Sequence, residues 1–191
     1  ISIAKQADAV VIAPASANVI GKLANGIADD MLTTTVMACP CKKIIAPAMN
    51  HNMFHNPIVQ DNIRRLRQFG YEIVEPERGM LANGDTGDGR LPDESVLVEY
   101  VIHQTAFEKD LKGKKILVTA GATREAIDPV RYITNHSSGK MGVSLAKAAA
   151  RRGAEVTLIH GAMEIDEPMF VRNIAVTSAQ DMYDAVMAES D

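Results

Sequence analysis

The chain has no tryptophan, only 4% aromatic residues and two cysteines among its 191 residues. So little cysteine excludes a disulfide-built scaffold. Cys39 and Cys41 stand too close in sequence for an easy disulfide and lack the second pair that would complete a zinc site, so they read as reduced packing residues. Long hydrophobic runs are missing too. The stretch from Ala9 to Ala15 falls far short of the roughly 20 residues of a membrane span, and no signal-peptide pattern opens the chain. A basic excess is absent: residues 1–110 carry 10 basic and 14 acidic side chains and residues 111–191 carry 10 of each, which argues against nucleic acid as a partner. What remains, 47% apolar and 23% charged residues, is ordinary globular composition, and a cytoplasmic protein without a membrane partner is expected.

Apolar runs of strand length alternate with segments of helical period, the pattern of a parallel sheet covered by helices. Two such series are present. The first predicts strand 9–13, helical material over 18–38, strand 43–46, helix 57–69 and strand 71–74. A glycine-rich loop over 78–92 follows, then a helix from Asp93 to about Lys109 with Val96, Leu97, Tyr100 and Val101 on one face. Asp110 to Gly113 reads as a linker. The second series predicts strand 115–120, a long loop, helix 139–152, strands 155–160 and 171–176, and helix 179–187. The expected class is therefore α/β, with two doubly wound, Rossmann- or flavodoxin-like parallel-sheet domains at 1–109 and 110–191. The abrupt start and the closing helix without a following strand make both read as incomplete, as in an internal fragment of a longer protein.

Ligands of parallel sheets bind at the carboxyl ends of the strands, so the segments after strands carry the chemistry. Pro14-Ala-Ser-Ala-Asn18 offers only small side chains, which let helix-start amides approach a ring or a phosphate; a plain helix cap explains it equally well. Pro47 to Phe54 presents Asn50, whose uncharged amide can orient an anion without titrating. His51 and His55 have the spacing of a metal pair, but no carboxylate or third histidine lies near in sequence, and metal is the weaker reading. Gly79 to Pro92 holds too many glycines for a turn alone and reads as a mobile flap, with Arg90 available for a phosphate or carboxylate. It lacks the spacing of an EF-hand calcium loop. In the second series, Gly121 to Glu125 and Asn135 to Gly142 flank one loop. Ser137, Ser138, the Gly139 amide and Lys140 can cradle phosphate at a helix start, with Arg131, unpaired in this reading, and Asn135 beside them. The glycine spacing fits neither a P-loop nor a dinucleotide fingerprint.

Taken together, these loops resemble the bifunctional family that joins a phosphopantothenoylcysteine decarboxylase to a phosphopantothenate-cysteine ligase in coenzyme A biosynthesis. Pro14 to Asn18 resembles the family's PASAN motif, Pro47 to Met53 its PxMNxxM motif, Asn83 to Leu91 part of its substrate clamp, and Asp128 to Gly142 the ligase's nucleotide and acyl-phosphate loop. The resemblance implies an FMN-dependent carboxy-lyase and a CTP-dependent acid-amino acid ligase using Mg2+. Its small-molecule partners are phosphopantothenate, cysteine and phosphopantothenoylcysteine, and it implies a homo-oligomer. Carried over residue by residue, Ser16, Ala17, Asn18, Val19 and Ala48 would line FMN, and Asn50, Ala82, Gly84 and Arg90 would meet substrate. Ser137, Ser138, Gly139 and Lys140 would hold nucleotide phosphates. Asn50, Asn83, Arg131 and Asn135 would be catalytic.

Three departures qualify the match. The family's catalytic histidine belongs just before Ile1, the ligase's later nucleotide loop and lysine belong beyond Asp191, and Asn83 stands where the clamp usually has a proton-donating cysteine. On that reading the fragment alone is inactive in both reactions. Two alternatives compete: an NAD(P)-dependent Rossmann oxidoreductase, prompted by Ile116 to Thr123, and a non-enzymatic flavin-binding regulatory module, which Asn83 would permit.

Overall fold

The computed structural model describes residues 3–81, 84 and 86–190. The chain divides into two compact units, Ile1–Thr105 and Ala106–Asp191, a few residues before the expected junction. The Asp110–Gly113 stretch is bonded inside the second unit, where Asp110 pairs with Arg152 and the Leu111 N–H donates to the Arg152 carbonyl at 3.0 Å.

The first unit runs β1 (Ala9–Ala15), α1 (Ala17–Ala24), α2 (Met31–Ala38), β2 (Lys42–Pro47), α3 (His51–Phe54), α4 (Pro57–Gln68), β3 (Glu72–Ile73), β4 (Glu77–Met80), β5 (Thr86–Arg90) and α5 (Glu94–Thr105). Strands β1, β2 and β3 form a parallel sheet in that order. The two-residue period of a strand decides its layering. Ile45 faces a core with Ile12, Ile20, Leu23, Ile63 and Leu66, while its neighbours Ile44 and Ala46 face Val74 and the apolar stripe Val96, Leu97, Tyr100 and Val101 of α5. Strand β2 is thus buried on both sides, which is why it reads as a continuous apolar run.

Two expectations for this unit are corrected. The helical stretch over 18–38 is broken: α1 ends at Asn25, Gly26 turns the chain at φ +72°, and Asp30 starts α2 by accepting the Thr33 N–H at 2.8 Å. Hydrogen bonds from Lys22 and then Thr33 hold the Asp30 carboxyl down at about 2. The glycine-rich stretch over 78–92, expected as a loop, is largely an antiparallel hairpin of β4 and β5. The thiols Cys39 and Cys41 are free, and Cys39 is buried beneath the Ala4 carbonyl, to which it donates at 3.2 Å.

The second unit runs β6 (Lys115–Ala120), β7 (Arg124–Ala126), β8 (Tyr132–Thr134), α6 (Lys140–Arg151), β9 (Glu155–His160), β10 (Arg172–Ala175) and α7 (Ala179–Glu189). Its parallel sheet has the order β10-β9-β6. Strands β7 and β8 pair antiparallel inside the segment expected as a long loop. Both units are therefore α/β with parallel sheets of flavodoxin-like character. No helix among the described residues is long and apolar enough to cross a membrane.

Helix α6 packs through small residues: Gly142, Ala146, Ala149 and Ala150 are buried. A Cβ on Gly142 would lie 2.7 Å from the Ala120 Cβ and 2.9 Å from the Thr119 carbonyl oxygen, so the helix can rest this close to β6 only without one. Alanine ordinarily gains about 1 kcal/mol over glycine inside a helix, yet Gly142→Ala is expected to destabilise this unit, because the obstruction is backbone that cannot move aside. Hydrogen exchange over residues 115–151 should speed up; slower exchange would show that α6 does not depend on the close approach.

Candidate functional site

In the first unit, β1 and β2 end side by side, with Ala15 opposite Pro47 after a register shift beyond Ile12. A cavity of about 360 Å³ opens at these carboxyl ends, lined by Pro14, Ala48, Met49 and Asn50 on one side and by Met80, Leu81, Gly89, Arg90 and Leu91 on the other. The hairpin forms the second wall by lying directly on the first. The Met49 N–H donates to the Gly89 carbonyl at 3.0 Å and the Asp88 N–H donates to His51 Nδ1 at 3.2 Å. A Cβ at Gly89, whose φ is +123°, would fall 2.2 Å from the Met49 carbonyl oxygen, and one at Gly87 would fall 2.9 Å from the His51 side chain. Two of the glycines that made the segment look like a flap are therefore the points of closest packing.

Asn50 occupies the N-cap of α3. Its Oδ1 accepts the Asn52 N–H at 2.9 Å, which fixes the amide plane and leaves the Nδ2 hydrogens as donors for a bound anion. Ser16 is the N-cap of α1, accepting the Val19 N–H at 3.4 Å. Ser16, Ala17, Asn18 and Val19 therefore surround the helix start that follows β1, whereas Ala48, Asn50 and Arg90 line the cavity itself. Arg90 does not stand free: its guanidinium lies 3.4 Å from Asp93 and 4.0 Å from Glu77. Gly84 closes the hairpin turn by donating to the Leu81 carbonyl at 2.9 Å. Ala82 and Asn83 lie outside the described residues.

The hairpin also reaches α3 through side chains. Asp88 Oδ2 sits 2.9 Å from His55 Nε2 and 3.9 Å from His51 Nδ1. The hydrogen bond with His55, followed by the charges of His55, His51 and Arg78, holds the Asp88 carboxyl below the usual carboxylate range. The carboxylate that sequence proximity failed to supply for the two histidines thus comes from β5.

In the second unit a cavity of about 220 Å³ is lined by Ala122, Arg124, Thr134, Asn135, His136, Ser137, Ala162, Met163 and Glu164. Asn135 repeats the device of Asn50, its Oδ1 accepting the Ser137 N–H at 2.9 Å. Ser137 packs against Gly121, where a Cβ would come within 3.1 Å of its hydroxyl. Gly139 starts α6 at φ +77° without a side-chain cap, which leaves first-turn amides open beside Ser137, Ser138 and Lys140. Arg131 is not unpaired as expected: its Nε lies 2.6 Å from Asp128 Oδ2, and its backbone N–H is held by the same carboxylate. Those bonds hold the Asp128 carboxyl below its usual range. The arginine on the cavity wall is Arg124, stacked over Tyr132 at 4.7 Å. Sequence marks Arg124 only as part of the Gly121 to Glu125 segment and gives it no role, because the β7-β8 pairing that presents it leaves almost no periodic signal over three-residue strands.

Residues 1–106 match the Flavoprotein family, and residues 111–191 match the family described as DNA/pantothenate metabolism flavoprotein C-terminal domain. The chain is 50% identical over 190 residues to the coenzyme A biosynthesis bifunctional protein CoaBC of Vibrio parahaemolyticus and 50% identical over 194 residues to that of Bacillus subtilis. The alignment with the Escherichia coli protein of the same name gives 44% over 188 residues. These alignments take in 98–100% of this chain but 46–48% of the relatives, so the chain spans about half the length of the curated relatives it matches. A solved structure of a cysteine-to-serine mutant of PPC decarboxylase, complexed with pantothenoylaminoethenethiol, is similar with a TM-score of 0.51 and 35% identity, covering 52% of this chain and 56% of that one.

The geometry at Gly89 yields a direct test. Gly89→Ala is expected to detach β5 from Met49, read as faster amide exchange at Met49 and over residues 86–90 with the sheet of the first unit intact. Unchanged exchange at Met49 would show that the hairpin does not need the missing side chain.

Proposed function

The chain belongs to the flavoprotein family, and from that premise we propose that its first unit is the flavin-binding part of an FMN-dependent decarboxylase acting on phosphopantothenoylcysteine, yielding 4′-phosphopantetheine for coenzyme A. The observation that carries this reading is the cavity at the ends of β1 and β2, where apolar walls and small residues meet one fixed amide donor. The residues fit a flavin. Pro14, Ala48 and Gly89 leave room for a planar ring, Met49, Met80, Leu81 and Leu91 make the surroundings apolar, and the first-turn amides after Ser16 suit a phosphate. When bound, the flavin would supply the reversible oxidation of the substrate's cysteine thiol that turns the adjacent carboxylate into a leaving group.

The chain's own side chains then have distinct tasks. Asn50 presents N–H donors to the substrate carboxylate and, being uncharged, orients it without adding a positive charge that would hold the carboxylate back. The hairpin, with Gly84 and Arg90, covers the substrate and keeps water from the reacting carbon. Asn83 is no acid at neutral pH, so the final protonation falls to another group.

The reading for the second unit is a contribution to CTP-dependent ligation of phosphopantothenate with cysteine. The uncapped start of α6, with Ser137, Ser138, Gly139 and Lys140, suits nucleotide phosphates with Mg2+ as counterion. The donor amide of Asn135 faces the same cavity as the cationic Arg124, and Arg131 supports that loop through Asp128. Support comes from these loops together with the match of residues 111–191 to the pantothenate-metabolism domain.

Two substitutions in the full-length protein separate the halves. Asn50→Ala should retain the visible flavin spectrum, with FMN released on denaturation, while carbon dioxide release falls at least about tenfold, the worth of a hydrogen bond to a charged group. A colourless protein that also fails to take up added FMN would remove the flavin reading. Asn135→Asp, which keeps the Oδ1 acceptor but loses the donors, should slow ligation and leave decarboxylation untouched. Full ligase turnover in that variant would take Asn135 out of the reaction.

A further inference from the structure

His51 and His55 are one helical turn apart, so α3 brings their rings together, with centroids 4.4 Å apart. The hairpin then delivers Asp88 to the same point, and the ligand atoms of the three side chains all lie within 4.8 Å of one another. We propose that His51, His55 and Asp88 form a binding site for a divalent transition-metal ion of the zinc class, which ties α3 to the hairpin.

Distance supports the assignment. An ion that holds nitrogen and oxygen at 2.0–2.1 Å in a tetrahedron keeps its ligand atoms about 3.3 Å apart. Asp88 Oδ2 stands 2.9 Å from His55 Nε2 and 3.9 Å from His51 Nδ1, values that bracket this spacing, and all three ligand atoms lie within 4.8 Å of one another. Lone-pair direction supports it as well. His51 Nδ1 accepts the Asp88 N–H, so its lone pair is turned toward the hairpin at Asp88. That bond, at 3.2 Å, is near the long end of the hydrogen-bond range and is readily exchanged for coordination. The ionised Asp88 supplies the charge, and the ion takes the place of the proton shared between Asp88 and His55. A simple ion pair of His55 with Asp88 would account for two of the groups but would leave His51 with that long bond alone.

The donor set favours one metal class. Two imidazoles and one carboxylate, with no thiolate, suit zinc and its neighbours better than magnesium or calcium, which prefer all-oxygen shells. Three protein ligands leave a fourth position for water. The ligands come from two elements that otherwise meet through backbone contacts at Met49 and Gly89, so the ion is a clasp on the cavity wall. Its position beside Asn50 is given by the chain, since Asn50 and His51 are consecutive. Neither flavin nor substrate is needed for it to bind.

The full-length protein, stripped of metal with a chelator, is titrated with Zn2+ by calorimetry and with Co2+ by absorbance. One ion per chain is expected, with the ligand-field band of four-coordinate Co2+. Loss of even an outer-sphere partner commonly costs tenfold or more, so His55→Ala and Asp88→Asn should each weaken Zn2+ binding at least about tenfold. Both side chains are part-exposed, and the far-UV circular dichroism should not change. Saturating Zn2+ should slow amide exchange over residues 86–90 in the parent chain and not in either variant. Unaltered affinity in both variants, or saturation without added protection of the hairpin, would overturn the site.

Discussion

The approach of one backbone to another, β5 at Gly89 against the chain at Met49, is the constraint on which the first site rests. Burial of β2 on both faces fixes where Pro47 and Ala48 emerge, because neither Ile44 nor Ile45 can leave its layer without opening a core. The hairpin must then come within hydrogen-bonding distance of Met49, and only residues without a Cβ allow it. Once that contact exists, Asn50, Gly89, Arg90 and Leu91 line one cavity even though they come from segments far apart in sequence.

A second device recurs in both units. Asn50 and Asn135 each use the side-chain oxygen to accept the backbone N–H two residues on, and so each has its amide nitrogen left over. The bond that shapes the turn also aims the donor. An asparagine in such a turn is a structural residue on its oxygen side and a binding residue on its nitrogen side, at little cost in side-chain entropy, because the rotamer is already fixed by the turn.

Much of this was legible in the sequence. Continuous apolar runs marked the buried strands, β6 and β9 ran over the residues expected, and the stripe Val96, Leu97, Tyr100 and Val101 marked the packed face of α5. The motif residues after β1 and β2 do fall at the carboxyl ends of parallel strands, as sheet topology demands. Part of what the sequence hides is non-local. The hairpin reads as a loop in sequence because its glycines hide the alternation of a strand, and the reason for two of them, His51 and Met49, lies more than thirty positions upstream. Arg131 looked free because its partner Asp128 is close in sequence but pairs with it only once the turn before β8 forms. The break between α1 and α2 depends on a left-handed Gly26 within otherwise helix-compatible composition.

The glycines of β5 carry one more consequence, for how such a hairpin can change over evolutionary time. Gly87 and Gly89 are buried against the chain they touch, whereas Thr86 and Arg90 are exposed and Asp88 lies between. Drift is therefore confined to every second residue. Within β5, whatever distinguishes one hairpin of this kind from another in charge, ligand preference or partner has to be written at positions 86, 88 and 90, while the positions between them are held silent by the wall they lean on.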